Sequence, residues 1–166
     1  MEDIFVAGVG MTKFGRHFDH SYKELAREAI EQALTDAGAS KADVKQAFFA
    51  SCVIGLMHDQ HMIPGHVALR SMGFEGIPIF NLEGACASAS TALHLAENAI
   101  RSGSCDIAIA VGVEKMNSPD KAKMFSAFDS AWDVETVSDN RDILLKMGEG
   151  VECPEGSQSP RPYSMF

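Results

Sequence analysis

Residues 77–116 read IPIFNLEGACASASTALHLAENAIRSGSCDIAIAVGVEKM, and the division of this stretch into elements decides the fold. Ile77–Leu82 is a short apolar run that stops at a bend containing Gly84. Beyond it Ala89, Ala92, Leu93, Ala96, Ala99 and Ile100 recur three and four residues apart. That spacing predicts a helix from about Cys86 to Arg101. Gly103 stands where a left-handed helix stop is expected. Ile107–Val113 is continuously apolar, the pattern of a strand covered on both faces. The stretch is therefore a strand–helix–strand unit, the crossover that joins parallel strands.

Cys86 falls at the start of that helix. Unpaired N–H groups and the helix dipole favour a thiolate there, below the free value near ~8.5. Gly84, Ala85, Ala87, Ser88 and Ala89 leave room for a substrate, and the same N–H groups would bind the oxyanion formed by attack on a carbonyl. A buried cysteine in a helix of small residues is equally compatible with the spacing. The residues alone leave both readings open.

Outward from this unit, Ile4–Val9 (IFVAGV) reads as a buried strand, with turns at Gly10 and Gly15. AGVGMTKFG has glycines in the manner of a dinucleotide loop, but the spacing is wrong and no helix opens directly after it. Ser21 and Glu24 form a capping box for a helix whose inner stripe is Leu25, Ala26, Ala29, Ile30, Ala33 and Leu34, ending at Gly38. Ser40–Asp43 adds a single turn, and Ala47–Ile54 reads as a buried strand carrying Cys52 as a core residue. A short helix is expected from about Pro64 to Met72, with Pro in its first turn and Gly73 as its stop. Strands alternating with helices imply an α/β layer fold of βαβ units on a mostly parallel sheet.

His58, His61 and His66 crowd one loop, yet their spacing matches no standard zinc pattern, and no metal site is expected. His94 lies eight residues past Cys86, about 12 Å further along a helix, too far to act as its base. Cys105 opens the last strand and reads as structural. After Asn117 the character changes: Ser118-Pro119-Asp120 breaks the chain, Lys121–Phe128 is a candidate short helix, and Asp129–Asp142 is mixed and polar around Trp132. Ile143–Met147 reads as one more turn, and GEGVECPEGSQSPRP, with Cys153, as loop. The chain thus divides into an α/β domain over 1–117 and a looser segment over 118–166.

The 166 residues suffice for one core of ordinary size, and 46% hydrophobic with 22% charged residues is a globular composition. A net charge of −9 argues against non-specific binding of nucleic acid. No apolar run approaches the ~18 residues of a membrane span. The acidic Met1-Glu2-Asp3 start is unlike a signal or transit peptide, so a cytoplasmic protein is expected. Four cysteines without a CxxC pair read as reduced thiols.

The ordered pieces VAGVGMTKFG, a first helix, GACASASTALHLA and VGVEKMN resemble the thiolase superfamily over the first two-thirds of the chain. Within it the resemblance is closest to the sterol-carrier-protein-2-type thiolases. It implies that Cys86 is the acyl-accepting cysteine and that 118–166 is part of the loop domain such enzymes insert over the substrate. The implied function is acyl-CoA acyltransfer in lipid metabolism: 3-oxoacyl-CoA is cleaved by coenzyme A, or the reverse condensation runs, through a cysteine thioester. Coenzyme A would be a substrate, with no permanently bound cofactor. Thiolases carry a second α/β half that supplies an Asn-His motif, an activating His and an acid/base Cys in a glycine-rich loop, and none of these follows Met116. The resemblance therefore implies a first half incomplete at its C-terminus, not expected to turn over alone, whose partners are acyl-CoA and either a missing second half or a second copy in a homodimer. Alternatives within the same resemblance are a hydroxymethylglutaryl-CoA synthase or ketoacyl synthase, or a non-catalytic subunit that binds acyl-CoA or a protein.

Overall fold

The computed structural model describes residues 3–150, which fall into two compact units divided between Asn117 and Ser118. The first unit is built on β1 (Gln46–Ala50), β2 (Ile79–Leu82) and β3 (Ala108–Gly112), all parallel, in the order β2-β1-β3. Phe48 pairs with Phe80 on one side and Ala110 on the other. β1 is the central strand, and Ala47 through Ala50 are all buried.

Side chains alternate across a strand, so β1 feeds two cores. Ala47 and Phe49 face one cluster with Leu25, Ala26 and Ile30 of α1 (Tyr22–Ala37) and Ala68 and Leu69 of α3 (Pro64–Arg70). Phe48 and Ala50 face the other, with Ala92 and Ala96 of α4 (Ser88–Arg101). The result is helix, sheet, helix. The Ser21–Glu24 capping box forms in both directions, and Gly38 closes α1 with φ 63°. Gly103 adopts φ 71° after α4, the left-handed conformation expected there.

Four expectations are corrected. Ile4–Val9 is not a strand and not buried: Phe5 is 80% exposed, and none of the three strands pairs with this run. Its backbone lies along α1 instead, with Val9 N donating to Asp36 Oδ2 (2.9 Å) and Met11 N to Gln32 Oε1 (3.0 Å). The glycines allow that approach, since a Cβ on Gly10 would sit 2.0 Å from the Ala29 carbonyl oxygen. Next, β1 ends at Ala50, so Cys52 lies beyond the strand, followed by a short helix α2 (Ile54–His58). Third, β3 is not covered on both faces, because Ala110 and Gly112 remain exposed while Val111 is buried. Finally, the second unit holds α5 (Lys121–Asp129), capped by Asp120 accepting from Lys123 N at 3.0 Å, and then α6 (Val137–Met147) in place of a polar stretch and a turn. Among the described residues no helix is long and apolar enough to cross a membrane.

Candidate active site

Parallel strands bring all their carboxyl ends to one edge of the sheet, the place where α/β folds bind ligands. Here Ala50, Leu82 and Gly112 end side by side. Ser51 N donates to Leu82 O (3.1 Å) and Val113 N to Ala50 O (3.1 Å), so the departing chains are tied together at their first step.

Cys86 is on the chain leaving β2. It occupies a 3-10 turn, Ala85–Ala87, and the α-helix proper starts at Ser88, two residues later than the apolar spacing implies. Local polar groups hold this turn. Glu83 Oε1 accepts from Ala85 N at 2.6 Å, and Ser88 Oγ accepts from Gly84 N at 2.9 Å while donating to Ala85 O at 2.7 Å. Ala85 has φ 49°, a left-handed conformation that is uncommon for a residue with a Cβ. Such outliers persist only where the surroundings over-determine them, and Glu83 with Ser88 does so here. Cys86 is exposed within the described residues. The geometry presents a thiol at the mouth of α4 with alanines and serines around it.

Cys52 is on the chain leaving β1, and it meets Glu114 on the chain leaving β3. The Glu114 carboxylate accepts from Ser51 Oγ (2.8 Å), Cys52 N (3.0 Å), Val53 N (3.1 and 3.2 Å to its two oxygens) and Cys52 Sγ (3.3 Å). Burial pushes the Cys52 thiol up to about 12, assisted by its hydrogen bond to Glu114 and by the charges of Glu114, Glu83 and Cys86. Cys52 and Glu114, which carry no signal of chemistry in the sequence, thus lie at the sheet end that also carries Cys86, whose charge acts on Cys52. In the sequence Glu114 is only a carboxylate directly after an apolar strand, and Cys52 only a core residue.

The histidines do not converge. His58 Nε2 is hydrogen-bonded to Lys115 O (2.8 Å), and His66 Nδ1 is 2.9 Å from Asn81 Nδ2, whose side-chain oxygen accepts from Gly65 N. Among the described residues no three His, Cys, Asp or Glu side chains are grouped to hold a metal ion. His94 pairs with Asn98 on α4, 3.1 Å away. Cys105 is buried, and burial followed by the Asp106 charge raises its thiol pKa. Cys153 lies outside the described residues.

This parallel sheet, with an exposed cysteine on the turn into the helix that follows β2, is accompanied by a match in sequence. Residues 4–151 match the thiolase N-terminal domain, and the chain belongs to the thiolase family. It is 38% identical over 125 residues to sterol carrier protein 2 of Gallus gallus, covering 74% of this chain and 22% of that protein. It is 37% identical over 138 residues to acetyl-CoA acetyltransferase of Methanothermobacter thermautotrophicus, covering 81% of this chain and 36% of that one. The chain therefore spans about a fifth to a third of the length of these relatives. In structure it resembles 3-oxoacyl-[acyl-carrier-protein] synthase III from Aquifex aeolicus, with TM-score 0.56 and 18% identity, over 71% of this chain and 39% of that one. The Ltp2-ChsH2(DUF35) aldolase superposes with TM-score 0.52 at 20% identity, over 85% of this chain and 35% of that one.

Proposed function

We propose that this chain carries the nucleophilic half of a thiolase-type acyltransferase, with Cys86 as the acyl acceptor. The observation that carries the reading is the exposed Cys86 on a strained turn at the start of α4, within a chain of this family. In the proposed step the Cys86 thiolate attacks the carbonyl of an acyl-CoA. The tetrahedral oxyanion collapses, the carbon–sulfur bond to coenzyme A breaks, and coenzyme A leaves as a thiolate that takes up a proton. The acyl group then rests on Cys86 as a thioester until coenzyme A, or the carbanion of a second acyl-CoA, accepts it. Positioned N–H donors stabilise the oxyanion, and a base is required to deprotonate the accepting group.

We assign the base and the remaining oxyanion donors to a second half, supplied by further chain or by another polypeptide. Residues 118–166 would be part of a loop domain. The name of the archaeal relative supports acyl-CoA as the substrate class. Acylation and turnover are separable in a half-site. Incubated with acetyl-CoA, the protein should gain one acetyl group on the Cys86 peptide, and Cys86→Ala should abolish the gain. Acetylation elsewhere with Cys86 untouched would sink the assignment.

A further inference from the structure

We propose that Glu114 is a positioning residue: it fastens Ser51–Val53 at the sheet end that carries Cys86 and holds Cys52 as a protonated donor, leaving Cys86 as the nucleophilic thiol there. This rests on the acyl-transfer reading of Cys86 and adds to it a residue that never touches the acyl group.

The geometry is specific. A carboxylate offers about four lone-pair sites, and Glu114 fills them from three consecutive residues across 61 to 63 positions of sequence. The backbone N–H groups of Cys52 and Val53 lie just before α2, whose N-cap residue, Val53, makes no side-chain hydrogen bond of its own. Glu114 therefore satisfies donors that would otherwise go unpaired where the chain turns. The fourth donor is the Cys52 thiol, whose Sγ lies 3.3 Å from Oε2. Ionising Cys52 would remove that donor and set two anions at the same distance.

The other charged groups acting on Cys52 point the same way. Glu83 on the chain leaving β2 and Cys86 in the turn to α4 both disfavour a second anion, and His58 on α2 is engaged with Lys115 O. Two thiols at one sheet end would otherwise compete for an electrophile. Burial and the carboxylate together separate them by chemistry: one is held as a donor and the other is open to solvent.

The test compares the full chain with Glu114→Gln, which keeps the size and an acceptor oxygen but loses the charge. Iodoacetamide labelling of each cysteine is followed by peptide mass from pH 7 to 10, with far-UV circular dichroism as the check on folding. In the unsubstituted protein Cys52 should stay unlabelled with no inflection in this range. In Glu114→Gln its labelling at pH 8 should rise on the order of tenfold, equivalent to one unit of thiol pKa. Acetylation of Cys86 by acetyl-CoA should slow in the same variant, because the neighbouring turn loses its anchor and its single-nucleophile character. An ordinary Cys52 inflection near ~8.5 in the unsubstituted protein would overturn the proposal. So would a Glu114→Gln variant whose Cys52 remains as inert as before. If Glu114→Gln does not fold, the pH curve of the unsubstituted protein decides alone. A Cys86 that never takes acetate, beside a Cys52 released by Glu114→Gln, would reject the acyl-transfer reading and leave the Glu114 contact standing.

Discussion

Two apolar runs in the first unit, IFVAGV at residues 4–9 and QAFFA at 46–50, have similar composition and opposite fates. The second is the central strand: Phe49 is 0% exposed, and both of its neighbours in the sheet are parallel partners. The first carries Phe5, Val6 and Val9 largely in solvent, and only its Val9 amide, with that of Met11 just beyond it, goes to side chains of α1. A strand forms where its backbone groups find a ladder, and apolar side chains alone do not supply one. QAFFA sits between two edges that claim it. IFVAGV meets a helix, whose own backbone hydrogen bonds are already complete, so it can be held only by side-chain acceptors and by glycines that permit close contact.

The contrast predicts its largest effect at Phe49. This ring is shared by the sheet and by the α1–α3 layer, and Gly65 of α3 packs directly on it, so closely that a Cβ added to Gly65 would fall 2.5 Å from Phe49 Cβ. Phe49→Ala should cost about 3–5 kcal/mol of unfolding free energy, the loss of transfer energy plus an unfilled cavity. Urea denaturation read by circular dichroism measures it. A loss below about 1 kcal/mol would mean that β1 is not the centre of the core.

How much of the fold and site is legible in the sequence follows the same physics. Features written within one turn of chain are readable: the Ser21–Glu24 box, the Gly38 and Gly103 stops, and Ala92, Ala96 and Ala99 of α4, although Leu93 in the same pattern is exposed. Contacts between distant residues are not. Nothing near Cys52 in sequence announces a carboxylate 62 residues away, so it reads as part of a strand that in fact stops at Ala50. α2 has five residues and no side-chain cap, too little to give a periodic signal. α6 leaves Ile143, Leu145 and Met147 exposed, so its apolar residues trace no buried stripe to recognise. The spacing puts Cys86 beside α4, but the 3-10 turn that carries it depends on Glu83 and Ser88 side chains meeting the backbone, which helical spacing does not encode.

An intermediate effect is expected at Gly10. A methyl group there would fall 2.0 Å from Ala29 O and 2.7 Å from Ala33 N, both backbone atoms of α1 that have no freedom to retreat. Gly10→Ala should therefore lift the segment from the helix and break the Met11 N–Gln32 hydrogen bond. The cost should be about 1–2 kcal/mol, capped because detachment is easier than distorting α1. Amide exchange at Val9 and Met11 should accelerate while β1 amides keep their protection. Unchanged exchange at Val9 and Met11 would show that the segment is not seated by close backbone contact.

The smallest effect is expected at Phe5, and it separates two accounts of the exposed run. With its ring 80% exposed, Phe5 has little folded-state contact to lose. Phe5→Ser should change the stability of the dilute protein by no more than about 0.5 kcal/mol, as for a surface site. Phe5, Val6, Val9, Met11 and Phe14 are nevertheless all exposed along one short segment, a concentration of apolar surface that favours association. If a second copy covers it, the Phe5→Ser penalty should grow with protein concentration, because stability gained by association follows mass action. Sedimentation and denaturation at low and high micromolar concentration distinguish the cases. A penalty of several kcal/mol that is the same at every concentration would show that Phe5 is buried within the single chain. The contrast between the two apolar runs would then collapse, because the first would have found its ladder after all.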